Sequence, residues 1–241
     1  MSDYSKLDDV DNAIYQCLDL NSPNSFLLFA GAGSGKTRTL VNVLQEIRNR
    51  DSPRFIKNGQ RIAVITYTNA ACQEIQHRLK YDPIFVVSTI HSFIWDLIKP
   101  FTADIKVWLL DKLNTDIAEL EGKIAKARSQ ANKTAIKNTR SCASKIKRRE
   151  ELDSVTSFAY SPTSILHEKG SLNHAEVIQL GAEFIANQIL MQNVLVNRFP
   201  ILLIDESQDT NRQLLEAFMS TQKMHADKFS LGLFGDLMQR I

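Results

Sequence analysis

The stretch AGAGSGKT, Ala30 to Thr37, gathers three glycines, a lysine and a threonine hydroxyl into eight residues. Glycines at 31, 33 and 35 let a backbone curl until its N–H groups point inward around a phosphate. A helix that starts where the curl ends adds the positive end of its dipole. Lys36 can then reach the outer phosphates of a nucleoside triphosphate, and the Thr37 hydroxyl can ligate Mg²⁺. The strict pattern has glycine where Ala30 stands. A glycine-rich turn with no ligand is the competing reading, and the order of strand, loop and helix signals argues against it. The candidate nucleotide-binding set is Ala30, Gly31, Ala32, Gly33, Ser34, Gly35, Lys36, Thr37 and Arg38.

A second constellation closes an apolar run. ILLIDESQDT (201–210) ends in adjacent carboxylates, and a buried parallel strand delivers its last residues to the edge where a phosphate loop lies. Asp205 is placed to hold Mg²⁺, chiefly through its water shell, and Glu206 to polarise an attacking water. Taken alone, Asp-Glu after such a run also fits a solvated helix cap. With the loop upstream, the catalytic reading is the stronger.

These residues need a frame to position them. FLLFA (26–30), RIAVITY (61–67), IFVVST (84–89), FPILLID (199–205) and FSLGLFGD (229–236) read as strands, FLLFA as one buried on both faces. Helices are expected from TRTLVNVLQEIRNR, NAACQEIQHRLK, HSFIWDLI and NRQLLEAFMSTQ, with an N-terminal one over residues 7–20 and another within 171–190. Alternation of this kind predicts an α/β fold, a parallel sheet with helices on both faces.

Residues 101–165 break the rhythm. Leu109, Leu113, Ile117, Leu120 and Ile124 have helical spacing, and no Gly or Pro occurs between Gly122 and Pro162. From Lys123 to Arg149 there are ten basic residues and no acidic one. A basic helical hairpin inserted into the sheet domain is expected, followed by a short strand in VTSFAY. The organisation is then 1–100 for the first part of the sheet domain, 101–170 for the insertion and 171–241 for the second part. The ten cations are either an arm for duplex DNA, gripping phosphates, or the solvated face of a hairpin. Both readings stay open at this point.

Composition excludes little. A 44% hydrophobic and 23% charged chain with net charge +2 has the material for a core and no overall bias of sign. Cys17, Cys72 and Cys142 have neither disulfide-framework nor zinc spacing. No secretory leader is read in MSDYSKLDDVDNAIYQCLDL and no apolar run reaches membrane-spanning length, so no membrane partner and a cytoplasmic location are expected.

Taken together the segments resemble the UvrD/Rep-like superfamily 1 DNA helicases. AGAGSGKT resembles motif I, VITYTNAACQEIQHRL (64–79) motif Ia, VSTIHSF (87–93) the Thr-x-His segment, LIDESQDT motif II and FGDLMQRI motif III, all in family order. The resemblance implies a RecA-like P-loop domain that uses ATP and Mg²⁺ to move along single-stranded DNA. It implies that Gln239 senses the γ-phosphate and couples it to DNA, on a strand lying between those of the P-loop and Asp205. Thr66, Tyr67, Thr68, Asn69, Thr89 and His91 are expected to form the DNA-facing edge, Tyr67 as a base-stacking ring. For His91 the alternative is a helix N-terminal residue bonded into the core.

The same resemblance implies a second RecA-like domain with the arginines that complete the ATP site, after the point where this chain ends at Ile241. The chain thus reads as the N-terminal half of a helicase, weak or inactive alone. The family's adenine-reading Gln has Asp11 or Asn12 in its place, and Gln16 is expected to be an exposed helix residue. A rival class keeps the fold but not the motor: a nucleotide switch working with a nuclease or another partner protein in repair or defence. A non-functional remnant is the third reading.

Overall fold

The computed structural model describes residues 8–31, 33–127, 132–161 and 169–236. In chain order the elements are α1 (Asp9–Cys17), β1 (Phe26–Phe29), α2 (Lys36–Asn58), β2 (Ile62–Thr66), α3 (Asn69–Arg78), β3 (Phe85–Thr89) and α4 (Ile90–Ile98). There follow α5 (Thr102–Ala125), α6 (Lys133–Glu151), β4 (Ala159–Tyr160), β5 (Ser171–Leu172), α7 (His174–Asn187), α8 (Ile189–Arg198), β6 (Ile201–Ile204), α9 (Arg212–Met224) and β7 (Ser230–Gly235). The chain divides into two compact units, one of residues 1–94 with 181–241 and one of residues 95–180.

The first unit is built on a five-stranded parallel sheet in the order β1-β7-β6-β2-β3. The predicted parallel α/β fold is what forms, and β7 lies between β1 and β6, as the resemblance implied. β2 and β6 are buried at every position, as their unbroken apolar runs demand. On one face Ile62, Val64, Ile201, Leu203 and Phe234 meet Ile14, Leu40, Leu44, Ile47, Cys72 and Ile75 from α1, α2 and α3. Gly232 is required by this packing: a Cβ there would stand 2.5 Å from both Leu203 Cδ2 and Phe26 Cζ.

One expectation is corrected. β1 is not buried on both faces, since Leu27 is 52% and Phe29 44% exposed while Phe26 and Leu28 pack on the core. The reason is position: β1 ends the sheet order and, among the described residues, pairs with β7 alone, so fewer neighbours cover its second face. An apolar run reports what a strand tolerates and not how many neighbours it has.

The second unit contains the expected helical hairpin. Lys145 bonds Asp116 at 2.6 Å and Arg149 bonds Asn114 at 3.1 Å, so residue numbers rise along α6 as they fall along α5. The two helices are antiparallel. Ile105, Leu109, Leu113 and Ile117 are the buried stripe of α5, and Ala135 and Cys142 that of α6. The expected strand in VTSFAY is two residues, Ala159–Tyr160, paired in parallel with β5. Arg148 carries the Glu176 carboxylate and the Ser171 carbonyl, tying α6 to β5 and the start of α7.

Candidate nucleotide site and strand-end surface

The register of the sheet decides what meets. Phe29 pairs with Gly235, and Ala30 N–H continues the ladder to the Gly235 carbonyl at 3.1 Å. Ile204 pairs with Ile65, and Asp205 N–H donates to the Ile65 carbonyl at 2.8 Å. Thr66 pairs with Thr89. Five parallel strands therefore release Ala30, Asp236, Asp205, Tyr67 and Ile90 at one edge, where α/β folds place their ligands.

The loop after β1 has the backbone its composition suggested. Gly33 and Gly35 have φ of 74° and 93°, conformations costly for any residue with a Cβ, and α2 begins at Lys36. Lys36 is buried, and its Nζ donates to the carbonyls of Ala30 at 2.7 Å and Gly31 at 3.2 Å. The ammonium is thus folded into the loop's own concavity. Thr37 and Arg38 occupy the first turn of α2, and Ser34 N–H closes a turn on the Gly31 carbonyl. Ala32 lies outside the described residues.

Across the edge, Asp205 is 6% exposed. Its carboxyl is pushed up to about 6, first by burial and then by the Glu206 charge, against the pull of the Glu206 N–H and the Lys36 charge. A buried carboxylate that feels both Lys36 and Glu206 is suited to a divalent cation, which would favour its charged form. Glu206 sits in the left-handed region, φ 53° and ψ 47°, where an L-residue costs roughly 1–2 kcal/mol. That turn sharply redirects the chain between Asp205 and the short helical turn Ser207–Asp209.

Gln208 was not singled out in the sequence, although DExQDT contains it. Its Nε2 donates to Glu206 Oε2 at 2.6 Å, and its Oε1 accepts from Asp236 N–H at 3.1 Å. One amide thus links the Glu206 carboxylate to the end of β7. Asp236, also missed, is 2% exposed. Gln239 lies outside the described residues.

The expected DNA-facing residues are not alike. Tyr67 is 57% exposed, and Thr68 and Asn69 are exposed beside it. Thr68 is also the N-cap of α3, accepting from Ala71 N–H at 3.1 Å. Thr89 is half-buried with its hydroxyl bonded to Ser92, and His91 is half-buried and holds a partner. Thr66 is the correction. It is 2% exposed and its hydroxyl is engaged by the Thr68 carbonyl and Cys72 Sγ, because β2 is buried at every position, Thr66 included. At the N-terminus, Asp11 is 1% exposed and accepts from Asn42 Nδ2 of α2 at 2.8 Å, with its other oxygen unpartnered, while Gln16 is exposed as expected.

With this geometry in place, likeness to known proteins is informative. The sequence profile described as UvrD/REP helicase N-terminal domain matches residues 16–241. The chain belongs to the UvrD/REP helicase N-terminal domain family. Gabija protein GajB of Bacillus cereus (strain HuB5-5) is 24% identical over 95% of this chain and 43% of its own length. The ATP-dependent DNA helicase Rep of Buchnera aphidicola subsp. Acyrthosiphon pisum (strain APS) is 28% identical over 89% of this chain and 36% of its length. One subunit of an ATP-dependent helicase/nuclease from Anoxybacillus flavithermus (strain DSM 21510 / WK1) is 33% identical over 31% of this chain and 8% of its own length. The chain spans less than half the length of these curated relatives. Among the described residues no helix is long and apolar enough to cross a membrane, and no cluster of His, Cys, Asp and Glu has metal-binding geometry.

Proposed function

We propose that this chain carries the ATP- and Mg²⁺-binding part of a helicase that couples ATP hydrolysis to movement on single-stranded DNA. One observation supports the reading above the others: strand register sets the phosphate loop and the Asp205–Glu206 pair on one edge, close enough for Lys36 to act on the Asp205 carboxyl. The loop fits a triphosphate. Lys36 already donates into the concavity, and a Cβ built at Gly31, Gly33 or Gly35 meets no atom within 4 Å, so the cradle is open.

In this reading the loop N–H groups and Lys36 hold the phosphates, while Thr37 and Asp205 hold the metal. When bound, Mg²⁺ neutralises charge developing on the transferred phosphoryl oxygens. Glu206 accepts the proton of the attacking water, and Gln208 orients that carboxylate. Because Gln208 also holds Asp236 N–H, a shift of Glu206 is passed to the chain leading toward Gln239. Tyr67, exposed at the same edge, stacks a base, and Thr68, Asn69, Thr89 and His91 position phosphates. Adenine selectivity is left to groups other than Gln16.

The relatives named for both helicase and nuclease keep a second reading in play: a nucleotide switch serving a partner protein. One experiment separates them. ATP hydrolysis is measured in the full-length protein with and without single-stranded DNA. DNA should stimulate the rate, Glu206→Gln should lower kcat by roughly 10²–10⁴ with nucleotide affinity kept, and Tyr67→Ala should remove most of the stimulation. Hydrolysis indifferent to DNA, with nucleotide-dependent capture of a partner, would decide for the switch.

A further inference from the structure

The second unit holds a hollow of about 640 Å³ lined entirely by its own residues. That lies within the range of small-molecule sites, roughly 300–1,000 Å³. One wall is the face of α6 that carries Ser141, Ser144 and Arg148, and another is β5 with the start of α7. Arg148 pins the two together, donating to the Ser171 carbonyl and to both carboxylate oxygens of Glu176. A capping box then fixes the head of α7: Asn173 N–H donates to Glu176 Oε2 at 3.1 Å, and Glu176 N–H to Asn173 Oδ1 at 3.0 Å. Leu109, Leu152 and Val155, all buried, give the hollow an apolar part.

Its charges do not balance. Arg148 is matched by Glu176, and Lys145 by Asp116 at 2.6 Å. That leaves Lys147 and Lys169, both exposed and without an ion pair among the described residues, against the one remaining carboxylate of the lining, Glu151. The lining also presents the hydroxyl residues Ser141, Ser144 and Ser171, and it contains no aromatic ring.

From this we infer that the hollow binds a small phosphate monoester with a hydroxylated, non-aromatic body, a ligand of the sugar-phosphate class. Each property of the ligand answers one of the lining. The surplus lysines suit a phosphoryl group, which an ammonium binds as a point charge. Serine hydroxyls both donate and accept, as sugar hydroxyls do. The apolar part takes the C–H face of a sugar, and a nucleobase would find no ring on which to stack. The volume bounds the ligand to small-molecule size. None of this rests on the helicase reading.

The probe is ribose 5-phosphate, titrated into the full chain by calorimetry at about 150 mM salt. It should saturate with a Kd on the order of 1 mM or below, inorganic phosphate should bind more weakly, and ribose should not bind. K147A/K169A should weaken the probe by about tenfold or more, and Ser144→Ala by roughly threefold. Both lysines are exposed, so the melting temperature should hold; were it to fall, Lys169→Ala alone should still weaken the probe about threefold. K133A/K137A removes α6 cations that do not line the hollow, and it should change affinity by less than about twofold. Lys36→Ala should leave probe binding unaltered, which separates failure here from failure of the ATP site. In that same variant adenosine monophosphate should bind no tighter than the probe. No saturation by about 10 mM probe overturns the proposal. So does an equal loss in K133A/K137A, which would mean attraction by helix charge alone, a loss in Lys36→Ala, or tighter binding of the nucleotide.

Discussion

Lys36 and the cations of α6 are the same chemistry used in opposite ways. Lys36 is a single charge, buried, with its ammonium held by two carbonyls of the loop it belongs to. On α6, Lys133, Lys137, Arg140 and Lys147 are four charges in solvent, none held by a described group. A cation constrained in three dimensions can act at one atom of a ligand. A row of unconstrained cations can only sum over many phosphates, and its effect is screened by salt. The difference lies in what the backbone does around the residue, not in the residue.

The largest test of that contrast is Lys36→Ala. A charge-assisted hydrogen bond to phosphate is worth roughly 1.5–3 kcal/mol, so Mg²⁺–ATP affinity should drop on the order of 10²-fold, read by calorimetry. Retained affinity would erase the distinction between the two sites. The neighbours Arg148 and Lys147 sharpen it next. Arg148 neutralises Glu176, whose side chain is 10% exposed, so Arg148→Ala should cost about 2 kcal/mol, discounted for partial exposure of the arginine. Lys147→Ala should lie within about 0.5 kcal/mol of the parent in the same thermal melts. Equal effects would mean that the paired and the solvated cations of α6 do not differ.

The third test concerns the site's cost to the fold. The Asp205 carboxyl titrates near 6 in the folded chain, above its ordinary range. A carboxyl shifted upward favours the folded state when protonated, so its contribution is present at low pH and is lost as pH rises through about 6. Asp205→Asn should remove this dependence and leave the metal-free chain about 2 kcal/mol more stable at a pH of about 7.5, while ending Mg²⁺-dependent hydrolysis. A melting temperature unmoved by the substitution at that pH would contradict it.

How far the sequence could be read depended on how local each feature is. The phosphate loop is covalently contiguous, so its glycines, lysine and threonine declare it, and the alternating strands and helices followed from unbroken apolar runs. Burial of the second face of β1 is a property of the sheet order, not of Phe26–Phe29, so the apolar run does not reveal it. Thr66 is covered because β2 is buried at every position, which its place at a strand end does not reveal. Gln208 was legible only as a letter in a motif; its contact with Asp236 spans 28 residues. The basic run left two readings open, because its paired cations find partners 28 to 35 residues away.

The sequence by itself determined the chemistry available: a loop that can cradle phosphate, an acidic strand end, an exposed-type tyrosine and an excess of cations between 123 and 149. Tertiary structure alone decided which of these share an edge and which cations remain in water. The physical reason is that backbone conformation and residue type are written over a few consecutive positions, whereas a charge's surroundings are set by whatever distant segment is packed against it.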